Sequence, residues 1–249
     1  MRLVKMKNQT YTQIEHETWS LLISRRKKTL TKEASHIYLD GLEKLQLPTH
    51  HIPSCHEINC LLKDLTDWRI VPMNDLITSS AYYTMLAHCE FPAITTIQSK
   101  KDIEYYANPK PDVIHEYFGH APFLANTEFA NFMQRLAKLS LTYSKSEQAL
   151  LGRLFWFTIE FGLIQTADGL RVYGAGIIPS HYETQRALYD SNVERKEFNV
   201  IDILRTPISA TKTQNKYYVI SSFDELFALS YADLSHDLSC AIQLGSFTQ

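Results

Sequence analysis

Little in this chain would cross-link it, anchor it or draw it to a charged partner. Its 249 residues include only four cysteines, Cys55, Cys60, Cys89 and Cys240, none in a C-x-x-C pair. That set is too sparse for a disulfide framework and suits a reducing compartment. No stretch approaches the ~18 uninterrupted apolar residues of a membrane span. The N-terminal segment lacks the apolar run of a signal peptide, so the expected location is the cytoplasm, with no membrane partner. A formal net charge of −2 gives no reason to expect nucleic acid as a partner and leaves small molecules. Eight glycines and nine prolines are few, and no linker, repeat or low-complexity segment separates parts of the chain.

What is present is a 45% hydrophobic content, enough for one substantial core. Apolar spacing predicts helices over 10–28, 32–46, 55–65 and 74–88, then over 126–141 and 146–161. The basic "SRRKK" is expected to be a solvated helix end. Strands are expected at "PAITTIQ" (92–98) and "NKYYVISS" (215–222), "GLRVYGAG" (169–176) reads as a short strand entering a glycine-rich turn, and "FDELFAL" as an acidic helix. The expected fold is mainly α with a small β component (α+β), a single domain over 1–249. The C-terminal 230–249 would pack on the body as a helix or contact a second chain.

One stretch carries chemistry. "PDVIHEYFGHAP" (111–122) is close to the zinc-peptidase signature H-E-x-x-H, but His115 and His120 are five residues apart. On a regular helix such residues diverge by about 140°, so they cannot share a metal unless the helix is distorted. Gly119 and Pro122 offer a means, and single-turn π-bulges tend to occur at functional sites. Downstream, "GRLFWFTIEFGLI" (152–164) places Glu160 in a strongly apolar segment, on one helical face with Trp156, Phe157, Leu163 and Ile164. A buried carboxylate requires a metal, a cation or a proton. Two imidazoles and one carboxylate make the facial triad of non-heme Fe(II) oxygenases. Zinc hydrolases use the same ligands with Glu116 as general base, so ligand type alone leaves both open.

At these residues the sequence resembles the pterin-dependent aromatic amino acid hydroxylases, with their P-D-x-x-H-[ED]-x-x-G-H-x-P motif and downstream W-F-T-[VI]-E-F-G. The blocks "YTQIEHETWSLL", "GLEKLQLPTHHIP", "TDWRIVP", "FPAITTI" and "LRVYGAGI" extend the resemblance, in order, over about 11–229, and are most similar to the short bacterial phenylalanine hydroxylases. The resemblance implies a catalytic domain alone, without flanking regulatory or tetramerisation segments, and a monomer, with a dimer as the alternative.

It also implies iron ligation by His115, His120 and Glu160, and a tetrahydropterin such as tetrahydrobiopterin beside Glu116. "DLITSSAYY" (75–83) corresponds to the pterin loop, with Leu76 and Ile77 lining the pocket and Tyr82 stacking in place of the usual phenylalanine. Pro111, Trp156, Phe161, Gly176 and Ser180 correspond to the surroundings of the amino-acid substrate. The implied reaction is a monooxygenation of phenylalanine to tyrosine with O2. Tyrosine or tryptophan hydroxylation is the alternative within the family, and a non-catalytic ligand-binding homologue the alternative outside catalysis. Departures stand at Gln98, where an arginine usually binds the substrate carboxylate and Lys100 or Lys101 would have to substitute, at Phe155 for a common tyrosine, and at Pro179 for a common serine.

Overall fold

Thr12 opens the first helix, α1 (Gln13–Glu33), with a capping box in which its side chain accepts from the Glu15 N–H and the Glu15 carboxylate reaches back to the Thr12 N–H. The computed structural model describes residues 10–98, 111–209 and 213–248. The helix runs five residues past the expected end, and the "SRRKK" stretch is not simply solvated. Arg26 is 4% exposed: its guanidinium donates to Glu33 Oε2 and to the Ile178 carbonyl, both at 2.8 Å, and to Thr184 at 3.2 Å. Burial of Arg26, Leu30 and Glu33 on one face is what carries the helix on. Arg26→Ala strands Glu33 and the Ile178 carbonyl in the interior. Urea unfolding is expected to show a loss of about 3–5 kcal/mol, well beyond the usual surface substitution.

Two short helices follow, α2 (His36–Leu45) and α3 (Cys55–Lys63), and then β1 (Arg69–Met73), α4 (Ser79–Ala87) and β2 (Glu90–Ile94). The strands pair in parallel from Arg69 opposite Glu90 to Met73 opposite Ile94. Two expectations are corrected here. The helix expected over 74–88 starts only at Ser79, because Thr78 takes an extended conformation and caps it through the Ala81 N–H. Residues 75–78 are thereby left outside the helix, with Leu76 76% exposed. The strand expected at 92–98 ends at Ile94, since the next backbone groups bond elsewhere: the Thr95 carbonyl accepts from Tyr11 Oη, the Thr96 carbonyl from the Val113 N–H, and the Gln98 N–H donates to Asp112.

The second half begins with a π-helix (His115–His120) running into α5 (Ala121–Leu124), followed by α6 (Thr127–Ser140) and α7 (Lys145–Phe155). A second π-helix (Trp156–Glu160) interrupts the single helix expected over 146–161, so Leu163 and Ile164 do not share a helical face with Glu160 but start β3 (Leu163–Thr166). Then come β4 (Gly169–Val172), α8 (His181–Tyr189), β5 (Glu194–Glu197), α9 (Val200–Arg205), β6 (Lys216–Ile220), α10 (Phe223–Ala228), a 3-10 turn (Leu229–Tyr231) and α11 (Ser235–Leu244).

The sheet order is β4-β3-β6-β5, with β3 antiparallel to β4 and β6 parallel to both β3 and β5. The fold is thus helix-rich with two small sheets, as the composition and spacing imply. Phe118, Phe123, Phe129 and Phe132 are fully buried in a core that also takes in Phe223, and both π-helices contribute to it, through Tyr117 and Phe118 in the first and Phe157 and Ile159 in the second. The C-terminal segment docks on the body: α11 packs on α9 with Leu238 and Ala241 buried, and the Arg205 guanidinium lies 4.0 Å over the Phe247 ring. Among the described residues no helix is long and apolar enough to cross a membrane.

Candidate metal centre and its cleft

The five-residue spacing is resolved by helix type. A π-helix closes its backbone from i to i+5, which brings residues five apart onto one face. His115 and His120 are the first and last residues of the first π-helix, and their Nε2 atoms are 3.1 Å apart. The wider turn leaves carbonyls short of partners, and Tyr38 Oη donates to that of Phe118 at 2.7 Å. In the second π-helix Thr158 Oγ1 donates to the Leu154 carbonyl at 2.7 Å, and the Phe161 N–H closes on Trp156 at 2.8 Å. There too residues five apart meet, since the Trp156 and Phe161 rings stack at 4.6 Å and 28°.

Glu160, the last residue of that turn, faces both histidines: Oε1 is 3.2 Å from His120 Nε2 and Oε2 is 3.5 Å from His115 Nε2. Donor atoms about 2.0–2.2 Å from one ion stand about 3.0 Å apart at right angles and about 3.4 Å at tetrahedral angles. The Nε2 pair and each imidazole's contact with Glu160, through Oε1 for His120 and Oε2 for His115, are at the spacing of donors that share one ion, and among the described residues this is the one such group of histidine, cysteine and carboxylate side chains. His120 is enclosed at 1% exposure and packs against the Phe91 ring at 4.8 Å, whereas the side chains of His115 and Glu160, at 13% and 15%, open to the cleft. Burial lowers the His115 imidazole to about 4 against the pull of Glu160, so it is neutral at pH 7 and keeps a lone pair. Burial alone would raise the Glu160 carboxyl, but the adjoining His120 and His115 hold it below its ordinary value.

The triad forms the floor of an open cleft of about 580 Å³. Leu76, Ile77, Tyr82, Pro111 and Glu116 line it, as do Met73, Pro92, Ile94 and Phe155. Tyr82 meets Phe155 edge-on at 5.5 Å. Glu116 is buried; burial first and the charge of Glu160 second raise its carboxyl well above the ordinary range, while the Ile94 N–H donates to its Oε1 at 3.4 Å. Asp112, also buried, accepts from the N–H groups of Ile114 and His115 at 3.0 Å and of Gln98 at 3.3 Å, so one carboxylate ties the start of the π-helix to the end of the β2 segment. Burial lifts it to about 6 against those three donors.

The other residues singled out in the sequence lie around this floor. A Cβ built on Gly176 would sit 3.3 Å from Glu160 Oε2 and 3.3 Å from Phe161 Cε2, which places Gly176 and Phe161 beside the carboxylate. Ser180 caps α8 by accepting from the Glu183 N–H at 3.1 Å, and Pro179 packs toward Gly119. Gln98 lines an adjoining recess with Asn74, Asp75 and Thr96, and Lys100 and Lys101 fall outside the described residues. Asp112 and Phe91 were missed by sequence reasoning. An aspartate three residues before His115 is a readable capping signal; nothing local marks Phe91 as the partner of His120.

Comparison with known proteins gives one consistent result. The family model for biopterin-dependent aromatic amino acid hydroxylases matches residues 4–233. Phenylalanine-4-hydroxylase of Pseudomonas aeruginosa is 39% identical over 235 residues, covering 94% of this chain and 88% of the relative. That of Vibrio cholerae is 35% identical over 224 residues, covering 90% and 77%. The solved structure of phenylalanine hydroxylase from Legionella pneumophila superposes with a TM-score of 0.89 at 35% identity, covering 96% of this chain and 98% of that one.

Proposed function

The chain belongs to the biopterin-dependent aromatic amino acid hydroxylases, and we propose on that premise that it converts phenylalanine to tyrosine with O2, a reduced pterin and ferrous iron. The observation that carries this reading is the triangle of His115, His120 and Glu160 opening directly onto a cleft lined by Leu76, Ile77, Tyr82 and Glu116. Iron and reduced pterin, when bound, supply the activation of dioxygen and the hydroxylation of the ring. The protein's share is to hold and orient.

His115 and His120 offer imidazole nitrogens and Glu160 a carboxylate on a single face, leaving the cleft side open for reactants. Tyr82, braced by Phe155, offers a ring on which a pterin stacks, while Leu76 and Ile77 supply apolar wall. Glu116, whose Oε1 accepts from the Ile94 N–H, presents its carboxyl group to the hydrogen-bonding groups of a pterin ring. The stacked Trp156 and Phe161 give the aromatic substrate a surface, and Pro111 lines the cleft together with His115 and Glu116. Gly176 keeps the space beside Glu160 free of a side chain.

Anaerobic reconstitution with ferrous iron, then addition of tetrahydropterin, air and an equal mixture of phenylalanine, tyrosine and tryptophan, tests the proposal by product mass. Tyrosine is expected as the dominant product. Pterin oxidation with no oxygen gained by any amino acid would move the substrate elsewhere, and turnover by a zinc-loaded protein without pterin or O2 would overturn the oxygenase reading.

A further inference from the structure

Trp156 is only partly buried, and the single donor of its indole, Nε1–H, is directed at Gln214 Oε1 at 3.1 Å. The acceptor is itself fixed. Gln214 Nε2 donates to the Lys216 carbonyl, which assigns the amide orientation, since a flipped amide would set donor against donor and acceptor against acceptor. The Gln214 backbone carbonyl accepts from Arg186 Nη2 at 3.2 Å and from Tyr217 Oη at 3.4 Å. Arg186 is held in turn by Asn215 Oδ1 at 2.7 Å and Asp190 Oδ2 at 3.3 Å. The indole is therefore tied to a residue that has no freedom of its own, at the entry to β6.

The consequence reaches the centre through stacking. Phe161 lies against the Trp156 ring on one side and beside Gly176 and the Glu160 carboxylate on the other. If the indole turned about its side-chain torsions, Phe161 would lose its backing and the wall next to Glu160 would widen. We propose that Gln214 is a positioning residue that fixes the Trp156 indole and so sets the selectivity of the aromatic-ring subsite. This rests on the functional reading above. The sequence around it, "TKTQN", gives no sign of such a role.

The test uses the full chain as parent, Gln214→Ala and Gln214→Met, the last keeping the length of the side chain while offering the indole no oxygen acceptor. Without metal or pterin, acrylamide quenching of the emission lost in Trp156→Phe reports the indole's freedom. It is expected to rise in Gln214→Ala and in Gln214→Met alike. With iron and pterin, loss of one neutral hydrogen bond is expected to raise KM for phenylalanine about five-fold in Gln214→Ala with little change in kcat. The ratio of tryptophan to phenylalanine hydroxylation should rise with it, and Gln214→Met should show both changes.

Parent quenching and parent KM in Gln214→Ala would overturn the proposal. So would parent values in Gln214→Met beside losses in Gln214→Ala, which would mark a residue that acts through its bulk alone. A parent chain that hydroxylates no amino acid would overturn the functional reading instead, and the quenching comparison would still decide the link between Trp156 and Gln214.

Discussion

Alanine at His120 is expected to abolish retention of stoichiometric ferrous iron through dialysis and to lower kcat/KM for ring hydroxylation by about 10³-fold or more. The expectation follows from the donor count. Three side chains form the triangle, and no other such group exists among the described residues to replace one. His120 is also the enclosed member, backed by Phe91, so solvent reaches its place less readily than that of His115. The fold itself should lose packing and the 3.2 Å contact with Glu160 but no hydrogen bond at the other ring nitrogen, since His120 Nδ1 has no partner among the described residues. A thermal melt should therefore move far less for His120→Ala than for Arg26→Ala. Iron bound at parent stoichiometry with parent turnover in the His120 variant would place the centre elsewhere.

The donor types of this centre are legible in the sequence because they conflict with their surroundings: a carboxylate among phenylalanines and two imidazoles beside a glycine demand an explanation that core packing does not give. The way they meet is not legible. Five-residue spacing beside Gly119 raises a π-bulge as one means of distortion, but the π-turn that forms depends on distant partners, Tyr38 for the Phe118 carbonyl and the 174–178 turn against Gly119. The same holds at Trp156 and Phe161, which apolar periodicity assigns to one continuing helix. Where burial rather than local pattern decides, the reading also falters. Arg26 looks like part of a solvated basic end until Glu33 and the Ile178 carbonyl are seen behind it. The short β3 and β5 offer too few residues for alternation to register, and β5, "ERKE", has none of the usual strand composition.

Gly119→Ala should separate the geometry of the centre from the stability of the fold. A Cβ at Gly119 would lie 2.5 Å from the Ala175 carbonyl oxygen, a contact that must be relieved by moving backbone, and 3.2 Å from Pro179 Cγ. The backbone it pushes is not free to yield: the Ala175 N–H donates to the Ile159 carbonyl and the Gly176 N–H to that of Glu160, both at 2.8 Å. Displacement therefore passes either to Glu160 through those bonds or to His120 through the chain, and either way one edge of the triangle lengthens. The expected stability loss is about 1–3 kcal/mol, as for other overpacked sites. Iron affinity and turnover should fall further, by about 10–100-fold, the range seen when groups that orient metal ligands are disturbed. Gly152→Ala is the matched control, because its Cβ would find only Tyr83 Oη, at 3.8 Å, and a helix interior gains from alanine by roughly 0.5–1 kcal/mol. It should melt at or above the parent temperature with iron binding unchanged. Equal iron affinity in the two alanine variants would mean that the π-turn tolerates displacement from the 174–178 turn, and that the triangle is held by the histidines' own packing instead.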